Sequence, residues 1–129
     1  MQALLYVMLG GAIGSGARHL VGRAMLGWLG TGFPFGTLTV NLVGGLLMGL
    51  LAGTLARAGG AGEAWRLFLA VGVLGGFTTF SSFSLDVVLM WQRGEASAAA
   101  IYLLASVTGA IAALAAGLWI ASAATRVAA

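Results

Sequence analysis

The sequence predicts an all-α integral membrane protein, in which residues 1–129 form a single domain of four transmembrane helices. Sixty per cent of the residues are hydrophobic and only 7% are charged, whereas a soluble domain usually carries about 25% charged residues. Six Arg and three acidic residues cannot build a water-exposed surface, so most of the surface must face lipid. Four spans of ~20 residues with short loops would fill nearly the whole chain.

The four apolar runs follow one another with short connections. We expect helices at about 3–27, 36–56, 65–91 and 96–124. A Gly-rich loop containing Pro34 separates the first two, a polar link at 57–64 precedes the third, and a turn at 92–95 precedes the fourth. Each run is long enough to cross a hydrocarbon core of ~30 Å.

Small residues recur at a spacing of four within every run, which places each set on one helix face. Small residues let transmembrane helices approach closely, so we expect these faces to be packing surfaces. The sets are Gly10 and Gly14, then Gly45, Gly49 and Gly53, then Gly72 and Gly76, and finally Gly109, Ala113 and Gly117.

The charge distribution does not select an orientation. Cytoplasmic loops usually carry an excess of Arg and Lys. One side of the predicted bundle carries Arg57, Arg66 and Arg126, and the other carries Arg23, Arg93 and, if it reaches the interface, Arg18. Two interpretations remain open: insertion in both orientations, which favours an antiparallel dimer, or loops too poor in charge for the rule to apply.

The segment 75–84 (Gly-Gly-Phe-Thr-Thr-Phe-Ser-Ser-Phe-Ser) is the most unusual in the chain. Two adjacent glycines lower helix propensity by about 1 kcal/mol each, and two β-branched Thr follow them. We therefore expect a break in the third helix. Because lipid cannot satisfy the exposed backbone groups, such a break must face protein, an ion or water.

Aromatic and polar side chains near this segment suggest an ion path. Phe77, Phe80 and Phe83 recur at a spacing of three, and the positive ring edges of such a stripe would suit an anion, although the spacing alone favours a packed core. Asn41, with Thr37 one turn before it, offers amide donors, or a helix–helix hydrogen bond.

Further polar groups lie in the third and fourth helices. Tyr102 and Ser106 have a spacing of four and therefore face one way. Asp86 is the one carboxylate inside a predicted span, and we expect it to pair with Arg18 because intramembrane charges are rarely alone. His19 is expected at the membrane interface.

This inventory excludes several classes of function. The sequence has no Cys and offers no metal-ligand cluster, no carboxylate pair and no assembled Ser-His-Asp set, so we expect no enzyme. A proton-coupled pump needs a titratable group near the membrane centre, where this chain places donors and rings. Passive movement of a small anion fits the inventory best.

The chain resembles a known family, the Fluc fluoride channels or CrcB-like proteins, over nearly its whole length. Three blocks carry the resemblance: residues 10–19 (GGAIGSGARH), 36–44 (GTLTVNLVG) and 75–84 (GGFTTFSSFS). The resemblance implies a passive channel that exports toxic cytoplasmic fluoride across the bacterial plasma membrane. It also implies an antiparallel homodimer with two pores.

The resemblance also implies roles for individual residues. Backbone carbonyls of Gly75 and Thr78 from both subunits would hold a central Na⁺. The implied fluoride pathway comprises Phe80 and Phe83, Asn41 with Thr37, Tyr102 and Ser106, and the third-helix hydroxyls of Thr79, Ser81 and Ser82. Three positions depart from the family pattern, namely Asp86 in place of Glu, His19 in place of Tyr, and Ala110 without a hydroxyl.

Two other classes are alternatives. A small multidrug exporter of similar size requires a carboxylate in its first helix, and none occurs between Met1 and Leu29. A structural subunit of a larger membrane assembly would explain the glycine faces but not the Thr-Thr-Phe-Ser-Ser-Phe sequence.

Overall fold

A computed structural model describes residues 1–57 and 59–128 of the chain, without the side chains of residues 60 and 61. Four helices in it are long and apolar enough to cross a membrane, which confirms the predicted number of spans. We call them the first to fourth spans: Gln2–Leu29, Phe35–Leu55, Glu63–Gln92 and Ala96–Ala128. The fourth is four residues longer than expected. Residue 58 of the predicted polar link lies outside the described residues.

Short, specific signals end and start the spans. The first span ends at Leu29 and is capped by Gly30, whose φ of 76° is readily available only to glycine, and Pro34 precedes the first residue of the second span. A short 3₁₀ turn, Gly59–Gly62, leads into the third span. Gly94, with φ of 81°, makes the tight turn into the fourth span. The described connections between consecutive spans are therefore short.

The backbone of the third span changes geometry along its length. After one α-turn it is π-helical over Arg66–Leu74 and returns to α-geometry at Gly75–Phe77. Thr78 and Thr79 are extended, with φ/ψ of −85°/159° and −154°/117°. Helical geometry resumes at Phe80–Gln92.

Glycines bring the spans into close contact in two pairs. A methyl group at Gly49 would overlap the Leu114 carbonyl of the fourth span, and one at Gly117 would overlap the Leu46 carbonyl of the second. Likewise, one at Gly14 of the first span would overlap the Val73 carbonyl of the third. The predicted packing faces are thus confirmed, because glycine alone permits these backbone contacts.

Large side chains are mostly outside this bundle. The fully buried large residues are Val40, Met90 and Tyr102, whereas Leu, Ile and Trp side chains cover the exterior of all four spans. Trp28 and Trp119 are among the most exposed. A surface of this kind suits lipid or another membrane-embedded chain, as expected of a multi-pass membrane protein.

Candidate functional site

Asn41 of the second span binds the extended residues of the third span. Its Nδ2 donates to the Thr79 carbonyl at 3.1 Å, and its Oδ1 accepts from the Thr79 N–H at 2.8 Å. One amide therefore binds both the N–H and the carbonyl of an extended residue. Of the two roles considered for Asn41, the structure shows the hydrogen bond between two spans. One amide hydrogen remains for another acceptor.

These contacts also change the partners of two nearby carbonyls. In an α-helix the Gly75 carbonyl would accept from the Thr79 N–H, and the Thr78 carbonyl from the Ser82 N–H. The Thr79 N–H instead donates to Asn41, and the Ser82 N–H donates to Thr79 Oγ1 at 3.2 Å. Both carbonyls have thus lost their helical donors to side chains.

An open, largely apolar pocket lies beside the extended residues. Five residues expected on the ion path line it, together with glycines of the second span and apolar residues of the fourth. Those five are Asn41, Thr79, Phe80, Phe83 and Ser106. The Phe80 and Phe83 rings lie 5.5 Å apart at 52°. Phe83 is buried in the core, whereas Phe80 is 76% exposed.

A second, more polar pocket is also lined by Thr79. Its polar lining comes from three spans, and every hydrogen-bonding side chain there can act as a donor. These side chains are Ser15, Arg18, His19, Thr37, Thr79 and Ser82. Thr79 lines both pockets, so the polar chamber and the apolar pocket adjoin at this residue.

Asp86 bonds to a residue other than the predicted one. The Tyr102 hydroxyl donates to Asp86 Oδ2 at 2.9 Å, and Tyr102 is completely buried. Over the described residues Arg18 and Asp86 form no ion pair, so that prediction is wrong. A buried phenol from the fourth span reaches the carboxylate, whereas Arg18 lies in the wall of the polar pocket.

Aromatic rings surround Tyr102. Phe83 meets it edge-on at 5.2 Å, and Phe33 from the first loop does so at 5.4 Å. Phe33 also lines a third pocket with Thr37 and Asp86. Asp86 therefore faces the loop end of the bundle, away from Asn41.

The remaining predicted residues have separate environments. The Ser106 side chain is buried, and its Oγ has no hydrogen-bond partner within the described residues. Ser81 is exposed, with its Oγ 3.4 Å from Thr79 Oγ1. Tyr102 does not share the apolar pocket with Ser106, because its hydroxyl reaches Asp86 instead.

The predicted Phe stripe is not continuous. Phe77 precedes the extended residues and Phe80 follows them, so the helical spacing of three holds only between Phe80 and Phe83. Even there one ring is exposed and the other buried.

A metal site built from side chains is not apparent. Within the described ranges no group of three His, Asp or Glu residues could hold a metal ion. A site formed by backbone carbonyls would need no such side chains.

Two parts of the site escaped sequence reasoning. Ser15 lies in the block at residues 10–19, but periodicity on one helix gave no sign that it would share a pocket with Thr37 and Ser82 of other spans. The Tyr102–Asp86 bond joins two spans, so no spacing within one span could indicate it.

Comparisons with known proteins place the chain among relatives of similar length. Residues 5–118 match the family described as CrcB-like protein, Camphor Resistance (CrcB). A protein of Sphingopyxis alaskensis named fluoride-specific ion channel FluC is 58% identical over 118 residues, covering 92% of this chain and 94% of that protein. A protein of the same name in Phenylobacterium zucineum is 59% identical over 122 residues, covering 94% of this chain and 96% of that protein.

Proposed function

The chain belongs to the CrcB-like family, and from that premise we propose that it is a subunit of a fluoride-selective channel that lets cytoplasmic fluoride leave the cell passively. The observation that carries the proposal is the identity of more than half of all residues to proteins named fluoride-specific ion channels, over more than nine-tenths of this chain. A channel, unlike an enzyme, needs no reacting groups, which agrees with the inventory of side chains.

Thr79 marks the centre of the proposed pathway. Fluoride enters the polar pocket, where hydroxyls and Arg18 replace part of its hydration shell. It passes Thr79 and reaches the apolar pocket, where the free amide hydrogen of Asn41, the unpaired Ser106 hydroxyl and the edges of the Phe80 and Phe83 rings face it. Sparse donors and ring edges suit a small anion better than a larger one.

A second copy of the chain completes this pathway. Phe80 lies in the middle of the third span beside polar backbone, yet 76% of it is exposed. A ring edge directed at lipid would serve no ion, so we infer that a partner subunit covers the apolar pocket. The balanced Arg distribution supports an antiparallel arrangement, because neither orientation is favoured.

The two carbonyls without helical donors support a cation site at the centre of this dimer. The carbonyl oxygens of Gly75 and Thr78 can coordinate a hard cation such as Na⁺, for which oxygen ligands are typical. Gly75 is exposed on the single chain, so a partner's carbonyls can approach it. A bound cation would supply positive charge near the anion path.

Ion efflux from liposomes tests the proposal. Purified protein is reconstituted, an ionophore supplies charge balance, and fluoride and chloride efflux are followed with ion-selective electrodes. Fast fluoride efflux without chloride efflux supports the channel. Absent fluoride efflux from folded, dimeric protein would overturn it and favour a structural subunit of a larger membrane assembly.

A further inference from the structure

The polar pocket opens beside a histidine to which the fluoride pathway above gives no role. His19 lines the pocket next to Arg18 and is itself exposed, whereas Thr79 lines the inner wall and is buried. The imidazole therefore lies towards the mouth of the chamber, and the extended backbone lies at its inner end. An ion that enters the pocket from its exposed end passes His19 before it reaches Thr79.

The chemistry of the pocket favours anions. Its polar side chains are hydroxyls, a guanidinium and an imidazole, without a carboxylate among the lining residues. From the second span the wall receives Gly36, Thr37 and Val40, and from the third Thr79 and Ser82, none of which titrates in the physiological range. A neutral imidazole adds one donor to this chamber, and a protonated one adds a full positive charge.

The charged groups near His19 are few. Arg18 adjoins it in the wall, and Arg23 is one turn further along the same face of the first span. From the third span the nearest carboxylate belongs to Asp86, which lines the adjoining pocket and accepts from Tyr102. Arginine is charged at every physiological pH, whereas histidine is the side-chain type whose charge ordinarily changes between about pH 5 and 8.

We propose that His19 is an anion-capturing residue at the channel entrance, whose protonation increases the rate at which fluoride enters. The inference rests on the proposed function, since it assigns a residue to the same pathway. A positive charge at a narrow mouth raises the local concentration of anions. One unit charge roughly 7 Å from the ion in water-like surroundings would raise that concentration about threefold. The gain should vanish at saturating fluoride or at high ionic strength, where the charge is screened.

Single-channel or macroscopic fluoride current in planar bilayers is the appropriate measurement. Current reports only the ion, because hydrogen fluoride crosses the bilayer without carrying charge. Wild type is compared at about pH 5.5 and about pH 7.5, on either side of the ordinary titration of histidine, at low fluoride and low ionic strength. We expect about threefold more current at the lower pH.

Three variants make the test specific. His19→Gln should carry the wild-type current at the higher pH and lose the pH ratio, and His19→Arg should carry the larger current at both pH values. Arg23→Gln is the matched control, because it removes a permanent charge from the same helix face and should keep the ratio. Size-exclusion chromatography checks that every variant remains folded and dimeric.

The outcomes separate the two proposals. A wild-type current that does not depend on pH, or a ratio that persists in folded His19→Gln, would overturn the role of His19 and leave the channel intact. Absence of fluoride current in wild type at both pH values would overturn the channel itself, and with it this inference.

Discussion

Replacing Asn41 by Asp is the perturbation that best tests the arrangement at Thr79. The substitution preserves the shape of the side chain and the acceptor for the Thr79 N–H, which lies at 2.8 Å. It replaces the donor to the Thr79 carbonyl, now at 3.1 Å, by a second acceptor. It also introduces a negative charge into the pocket that holds Phe80, Phe83 and Ser106.

The charge should dominate the effect on transport. A fluoride ion about 4 Å from a carboxylate, at an effective dielectric constant of about 20, meets a repulsion of about 4 kcal/mol. At about 1.4 kcal/mol for each factor of ten, that barrier slows passage by roughly 10³-fold. Loss of one hydrogen bond and the opposition of two acceptors should cost a further 1–3 kcal/mol or so of stability.

Asn41→Leu separates the charge from the hydrogen bonds. This variant removes both contacts to Thr79 without adding charge, so it should destabilise the protein more than Asn41→Asp while adding no electrostatic barrier. Fluoride efflux from liposomes and thermal unfolding in detergent measure the two effects independently. Variants are compared only at equal amounts of reconstituted dimer.

Two results would contradict this reasoning about Asn41. If folded, dimeric Asn41→Asp passes fluoride at the wild-type rate, Asn41 lies away from the ion path and serves only the backbone of Thr79. If Asn41→Leu and Asn41→Asp lose flux equally in folded protein, the hydrogen bonds rather than the charge explain the loss.

Three other predictions concern single positions. Phe80→Gln should reduce fluoride efflux at least tenfold while the dimer stays intact on size exclusion, because it removes an exposed ring edge from the pocket; unchanged efflux would contradict a ring-lined path. Gly49→Leu should prevent folding of the bundle, since even a methyl group would overlap the Leu114 carbonyl; a normal yield of dimer would show that the spans can separate. Tyr102→Phe should lower the free energy of unfolding by about 1–3 kcal/mol, because it leaves the Asp86 carboxylate without its donor, and an unchanged unfolding transition would mean that water replaces the phenol.

Much of the fold could be predicted from the sequence because membrane insertion leaves few choices. Backbone groups in hydrocarbon must bond within their own segment, so each long apolar run has to become a helix. The positions of Gly49 and Gly117 then identify which faces meet, since only a missing side chain allows such contact. The predicted helix boundaries lie within a few residues of the observed ones. The largest difference is at the end of the fourth span, where the apolar, Ala-rich sequence gives no stop signal.

Partners of polar groups could not be predicted in the same way. Asp86 and Arg18 have opposite charges at similar depth, which suggested an ion pair, yet the Tyr102 phenol reaches the carboxylate instead. For Asn41, the sequence indicated a polar group that needed partners, but left both an anion and another helix as candidates. Which donors satisfy a buried acceptor depends on the relative rotation of separate helices.

The sequence alone thus determined that the chain crosses the membrane four times, with its helices in contact through glycines, because composition and periodicity act within single segments. Only the tertiary structure decided that Asn41 holds both backbone groups of Thr79, that Tyr102 donates to Asp86 and that Ser106 has no partner among the described residues. Each of those facts depends on distances between residues far apart in sequence, which packing alone sets.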